Sequence, residues 1–212
     1  MTKRHQRLDF VGGFHVFPGG KMDRQDREPG NLERCKGIGP EDAQRILVNS
    51  PDPLKSLAYW VTAIRELFEE AGILLAYDKD GKFIDFKDRK LRDKFSSFRR
   101  LIHDEKITMG EMMVEEDLYY AADNLLYFSH WITPEFSPRR FDTRFFIARL
   151  PEEQSPQHYE DEVAESGWID PVVALLKWQM GEINMIMPTF TTLQSLTKFN
   201  RLTELFDAYA PR

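Results

Sequence analysis

The sequence contains very little of what marks secreted, membrane or nucleic-acid-binding proteins. Its single cysteine, Cys35, excludes an intrachain disulfide. The first ten residues lack the apolar stretch of a secretory signal, and no apolar run approaches the roughly 20 residues that span a bilayer. The formal net charge is −6, whereas nucleic-acid binders need basic excess to neutralise phosphates. These absences predict a cytoplasmic protein with no membrane segment, and they make nucleic acid an unexpected partner.

The remaining composition is that of an ordinary globular protein. Hydrophobic residues make up 42% of the 212 residues, which is enough for a sizeable core, and we expect a single domain over residues 1–212. Periodicity predicts helices at 54–71, 87–105, 107–124, 171–180 and 188–199, and strands at 73–77, 125–134, 139–151 and 166–170. Strands interleaved with helices favour an α/β or α+β layered fold.

One polar segment interrupts this pattern. Residues 24–53 are rich in proline and glycine, and the only helical piece within them is GPEDAQRIL, where Pro40 suits the first turn. This composition is typical of an insertion, which we place at about 27–56.

The helix predicted at 54–71 carries a group of carboxylates. Glu66, Glu69 and Glu70 are neighbours at i, i+3 and i+4, on the side away from the apolar stripe, and like charges at this spacing destabilise a helix. A divalent cation would offset the repulsion, because Mg²⁺ prefers oxygen ligands. Arg65 is spaced to pair with Glu69. The alternative interpretation is a solvated acidic helix face.

The surrounding residues resemble a known motif. FPGG at 17–20, Asp26 and RELFEEAGI at 65–73 stand in the order of a Nudix box. The resemblance implies a mixed β-sheet sandwiched between helices, with the box forming a loop, helix and loop that hold Mg²⁺ or Mn²⁺. It also implies hydrolysis of a nucleoside diphosphate linked to another group.

The family's functional residues map onto this chain one by one. The motif positions are occupied by Gly20, Asp26, Arg65, Glu66, Glu69, Glu70 and Gly72. By resemblance, Glu69 and Glu70 bind metal most directly, together with the carbonyl of Gly19. Glu66 is a ligand or a candidate base, and Arg65 orients the glutamates.

Two departures from the motif are informative. Asp26 stands where the family has glutamate, one methylene longer, which would weaken a supporting contact. In addition, 38 residues separate Asp26 from Arg65, against seven in the standard motif. Long insertions here resemble the branch that includes the mammalian peroxisomal coenzyme A diphosphatase and bacterial relatives, as do TPEFSPRRFDTRFFIARLP and MPTFTTLQSL downstream. Coenzyme A or an acyl derivative is therefore the expected substrate.

The N-terminus gives a partial match to a coenzyme A pattern of another Nudix branch. The positions in register are Thr2, Arg4, Gly13 and Phe17, whereas His5 and Asp9 depart from the pattern. In that branch the preceding leucines belong to a core strand, but this chain begins at Met1. We therefore hypothesise that the natural N-terminal strand is missing or is supplied by another segment.

Residues outside the box are expected to complete the site. The family usually adds an acid on a loop before a strand that bears tryptophan, which indicates Glu162, with Glu165 as the alternative. Arginines at 4, 139, 140 and 144 are candidates to bind substrate, the last three at its phosphates, because a guanidinium offers a planar fork of donors. For Arg139, Arg140 and Arg144 the alternative is ion pairing with acidic residues.

The sequence thus predicts a metal-dependent diphosphatase that breaks a P–O–P bridge. Coenzyme A would give 3′,5′-ADP and a 4′-phosphopantetheine product. The alternatives are a Nudix enzyme for a nucleotide sugar, NADH, ADP-ribose or capped RNA, and a non-catalytic Nudix-like binding module. The oligomeric state stays open, with a homodimer as one option.

Overall fold

The computed structural model describes residues 1–6, 12–47, 50–137, 140–157 and 163–210, without the side chains of residues 163–165. The chain divides into two compact units. We call Gly19–Leu125 with Ala148–Gln157 the box unit, and Met1–Pro18, Leu126–Ile147 and His158–Arg212 the terminal unit. The prediction of a single domain stays a prediction.

The box unit is mainly helical. Its helices are α1 (Pro29–Glu33), α2 (Pro40–Ile46), α3 (Pro53–Ala71), α4 (Arg89–His103) and α5 (Met109–Glu115). Short 3-10 helices cover Gln25–Arg27 and Ala122–Asn124. Strands β3 (Ala76–Tyr77) and β4 (Tyr119–Tyr120) form an antiparallel pair. The predicted insertion therefore contains a second helix, α1, besides the expected α2, so the expectation of a single helical piece was wrong. Helix α2 packs against α3.

Helix α3 confirms the prediction for residues 54–71. It begins where the Asp52 side chain accepts hydrogen bonds from the backbone N–H groups of Leu54 and Lys55. It ends at Gly72, whose φ of 68° is the left-handed conformation that favours glycine. The apolar stripe is buried, and the Trp60 indole N–H donates to the Leu125 carbonyl at 3.1 Å. This anchoring fixes the helix that carries the glutamates.

The terminal unit contains the longer strands and the last helices. Strand β1 (Thr2–Arg4) lies between β2 (His15–Val16) and β7 (Val163–Ser166), antiparallel to both. Strand β5 (Leu125–Ile132) pairs with β6 (Asp142–Ala148). The remaining elements are the helices α6 (Pro171–Gln179), α7 (Met187–Leu196) and α8 (Leu202–Tyr209). Within the described residues, strand pairing is thus divided among three small sheets.

Two predicted elements of the box unit were wrong in extent. Only Ala76 and Tyr77 of the strand predicted at 73–77 form a strand, because the Gln154 side chain bonds both the N–H and the carbonyl of Leu74. The helix predicted at 107–124 ends at Glu115, and Asp117 then adopts a φ of 49° that a helix does not accommodate. Its last residues form β4 and a 3-10 helix instead.

The strand predicted at 166–170 was also misplaced. The observed strand, β7, ends at Ser166, and the next residue, Gly167, donates its N–H to the Met1 carbonyl. Asp170 instead caps α6, because its side chain accepts from the N–H groups of Val172 and Val173. The hypothesis of a missing N-terminal strand stays a hypothesis. No helix within the described ranges is long and apolar enough to cross a bilayer.

Candidate active site

The centre of the box unit is a buried ion pair between the two halves of the motif. Arg65 and Asp26 are 3% and 1% exposed. The Nε and Nη2 atoms of Arg65 donate to the two carboxylate oxygens of Asp26 at 2.8 and 3.0 Å. Asp26 also accepts from the Thr62 hydroxyl and the Asp23 N–H, both at 2.9 Å. Asp26 thus makes the supporting contact although it lacks the family's extra methylene.

The same guanidinium contacts two of the three glutamates. Its Nη2 lies 3.0 Å from Glu66 Oε1, and its Nη1 lies 3.3 Å from each Glu69 carboxylate oxygen. The predicted contact between Arg65 and Glu69 is therefore present. Burial alone would lower the pKa of Arg65, but the Asp26 hydrogen bond and the charges of Glu66, Asp26 and Glu69 outweigh it and raise the pKa. Arg65 remains a cation at any physiological pH.

Glu70 occupies a different environment from the other two glutamates. Glu70 was expected on the side of the helix away from the apolar stripe, and its residue is nevertheless buried, at 7% exposed. The Gly19 N–H donates to its Oε2 at 3.0 Å, because the glycine-rich loop folds over this turn of α3. Gly20 approaches so closely that a Cβ there would lie 2.5 Å from Glu66 Oε1. The two glycines therefore bring backbone against the glutamates.

The surroundings of Glu66 and Glu69 disfavour the charged forms of their carboxylates. Burial raises the pKa of Glu66 to about 7, despite the opposing charge of Arg65, and the charge of Glu69 adds to the rise. Burial also raises the pKa of Glu69, again against the effect of Arg65. Arg65 is the cation that contacts Asp26, Glu66 and Glu69, so the cluster carries excess negative charge when ionised. A divalent cation would relieve this excess.

The donor set fits a hard divalent metal ion in chemistry but is not assembled around one. No group of three acidic, histidine or cysteine side chains among the described residues converges as metal ligands. Glu66 and Glu69 are turned towards Arg65, and Glu70 is turned towards Gly19. Metal binding would therefore require rotation of these side chains away from their present partners.

The arginine and acid candidates outside the box belong to the terminal unit. Arg144 donates to Asp142 at 2.9 Å, which is the predicted alternative of an ion pair, and Arg140 donates to the Thr133 carbonyl at 3.2 Å. The Nε atom of Arg4 is buried and makes no hydrogen bond within the described part of the chain. Glu162 and Arg139 lie outside the described residues, as does the side chain of Glu165, so their roles stay predictions.

Sequence reasoning missed several residues that support the glutamates. Thr62 lies three positions before Arg65, on the same helix face, and this spacing could have indicated its contact with Asp26. Arg99 donates its Nε–H to the Glu69 carbonyl at 2.9 Å from a separate helix. The Gln157 N–H donates to the Ala71 carbonyl at 2.8 Å. No local pattern points to Arg99 or Gln157, because both contacts depend on tertiary packing.

Comparison with known proteins gives concordant matches. Residues 1–196 match the family model of the NUDT19 Nudix domain. The chain is 27% identical to "Acyl-coenzyme A diphosphatase NUDT19" of Xenopus laevis, with 97% of this chain and 61% of the relative aligned. It is 28% identical to the Homo sapiens protein of the same name, with 97% and 62% aligned. The chain thus spans about three fifths of the length of these relatives.

A solved structure supports the fold. The crystal structure of a NUDIX hydrolase from Alicyclobacillus acidocaldarius superposes with a TM-score of 0.74 at 24% identity, covering 97% of this chain and 86% of the other. At that identity the likeness concerns the fold alone. The predicted Nudix fold of mixed helices and strands is therefore confirmed.

Proposed function

The chain belongs to the NUDT19 Nudix domain family, and we propose that it hydrolyses the diphosphate bridge of coenzyme A or an acyl-coenzyme A in a reaction that depends on a divalent metal ion. The products would be 3′,5′-ADP and a 4′-phosphopantetheine derivative. The names of the relatives from Xenopus laevis and Homo sapiens support the substrate. The predicted cytoplasmic location and the option of a homodimer stay predictions.

The proposal is supported mainly by the buried network that Arg65 forms with Asp26, Glu66 and Glu69. A guanidinium that bonds Asp26 on one side and contacts Glu66 and Glu69 on the other joins both halves of the box across a long insertion. A binding module without catalysis has no need for two glutamates and an aspartate whose charges repel one another around one buried cation. The intact network therefore favours a working diphosphatase.

The individual residues would have the following roles in the reaction. Glu69, Glu70 and the Gly19 carbonyl would hold Mg²⁺ or Mn²⁺, with Glu66 as a further ligand or the general base. Such ions, when bound, neutralise diphosphate charge and acidify a bound water. Glu162 would be the outside ligand or base. The residues proposed to bind substrate phosphates are Arg4, Arg139, Arg140 and Arg144.

A substrate panel tests this function. The purified protein with Mg²⁺ or Mn²⁺ should hydrolyse coenzyme A, and Glu69→Gln or Glu70→Gln should abolish turnover. Glu115→Gln, at an exposed position of α5, is the matched control and should retain full activity. Turnover of NADH, ADP-ribose or a nucleotide sugar with coenzyme A untouched would reassign the substrate. If no diphosphate in the panel is hydrolysed, a binding module becomes the better description.

A further inference from the structure

Arg99 on helix α4 contacts α3 at the peptide that joins two of the proposed metal ligands. Its Nε–H donates to the Glu69 carbonyl oxygen at 2.9 Å. That carbonyl belongs to the peptide unit between Glu69 and Glu70. Arg99 therefore restrains the orientation of the peptide plane from which both glutamate side chains depart.

The end of α3 requires such a contact, because carbonyls in the last turn of a helix have no partner within the helix. The Gly72 N–H bonds the Phe68 carbonyl at 2.9 Å, and the Gln157 N–H bonds the Ala71 carbonyl at 2.8 Å. Arg99 is the hydrogen-bond donor for the Glu69 carbonyl, which lies between Phe68 and Ala71 in the sequence. A cation at this end also interacts favourably with the helix dipole.

Arg99 is itself held firmly. Arg99 is 6% exposed, and Phe95, Phe98 and Ile102 of the same helix are also buried. Gly72 leaves room for the guanidinium, since a Cβ at that position would come within 3.0 Å of Arg99 Nη1. A buried cation on a packed helix is a rigid support, unlike a solvated surface arginine.

We propose that Arg99 is a positioning residue that sets the metal affinity of Glu69 and Glu70 through the peptide between them. This inference rests on the proposed metal-dependent function. Without the bond from Arg99, the last turn of α3 would fray, and the two carboxylates would depart from a less fixed backbone. Loss of residues that orient metal ligands typically weakens metal affinity by about 10- to 100-fold.

Direct Mn²⁺ binding in the absence of substrate tests this role. Free Mn²⁺ is measured by electron paramagnetic resonance for the wild type, Arg99→Met, Arg99→Lys and Arg100→Met. Arg99→Met keeps length and apolar contact but loses the donor, and should raise the Mn²⁺ Kd about tenfold. Arg99→Lys keeps one cationic donor without the planar fork, and should raise it by about threefold. Arg100 is exposed, with a bond to Ser97, and Arg100→Met should bind like the wild type.

The outcomes separate this inference from the proposed function. A folded Arg99→Met with the wild-type Kd overturns the positioning role, whatever its melting temperature. If that variant does not fold, a wild-type Kd in Arg99→Lys overturns it instead. A wild type that binds no Mn²⁺ overturns both the inference and the proposed metal dependence. A wild type that binds Mn²⁺ but leaves coenzyme A intact affects only the substrate assignment.

Discussion

The box unit and the terminal unit each contain an arginine paired with an aspartate, and the two pairs are built differently. In the box unit, the side chains of Arg65 and Asp26 are 4% and 1% exposed and share two hydrogen bonds. In the terminal unit, those of Arg144 and Asp142 are 6% and 50% exposed and share one. Asp142 also contacts His130. The first pair is a fixed support, whereas the second leaves half its carboxylate in water.

The largest difference should appear when each aspartate loses its charge. Asp26→Asn leaves Arg65 buried without its carboxylate, and it should lower the free energy of unfolding by about 3 to 5 kcal/mol. Asp142→Asn is the matched change in the half-exposed pair and should cost less than about 1 kcal/mol. Urea denaturation of both variants measures the contrast. Equal losses would show that burial does not distinguish the two pairs.

Replacing Gly72 should show how tightly the C-terminal end of α3 is held in the box unit. Gly72→Ala places a Cβ at a φ of 68°, close to Arg99. The left-handed conformation costs a residue with a Cβ roughly 1 to 2 kcal/mol, and thermal unfolding should register a loss of that size. Gly81→Ala is the control for conformation alone, because its φ of 77° is similar but a Cβ there meets no atom within 4 Å. A smaller loss at Gly72 than at Gly81 would contradict a tightly held helix end.

A change in the terminal unit should affect substrate binding more than stability. Arg140 is exposed, and its Nε–H donates to the Thr133 carbonyl. If it binds substrate phosphate, Arg140→Met should raise KM about tenfold, the size expected for one charge-assisted hydrogen bond. Its kcat should change less than about twofold, and its unfolding free energy less than about 0.5 kcal/mol. An unchanged KM would remove Arg140 from the phosphate site.

The smallest expected effect is the pH dependence of the half-exposed pair. Burial by itself would raise the pKa of Asp142, but hydrogen bonds from His130 and Arg144 outweigh it, and the pKa is lowered from 3.8. A carboxylate with a lowered folded pKa stabilises above its unfolded pKa, and this contribution is lost as pH falls through the folded value. The stability gap between wild type and Asp142→Asn should therefore shrink from pH 5 to pH 3. If the stability gap widens as the pH falls, the pKa of Asp142 is not lowered in the folded protein.

Local sequence patterns predicted the parts of the site that depend on helix periodicity. The i, i+4 contact of Arg65 with Glu69 and the glycine that ends α3 are such features. The burial of Glu70 was missed because the loop at Gly19 covers it from another part of the chain. The strand at 73–77 was overextended because Gln154, 80 residues beyond Leu74, takes its backbone bonds. Such contacts arise from packing between distant segments, which periodicity does not record.

The location of bound metal shows whether the buried network of the box unit takes part in metal-dependent catalysis. Crystals grown with Mn²⁺, at a concentration that supports turnover, can be measured at the manganese absorption edge. We predict anomalous peaks bound by carboxylate oxygens of Glu69 and Glu70, with Asp26 still paired to Arg65. Peaks confined to other parts of the chain, with all three glutamates in their present contacts, would contradict metal binding by this network.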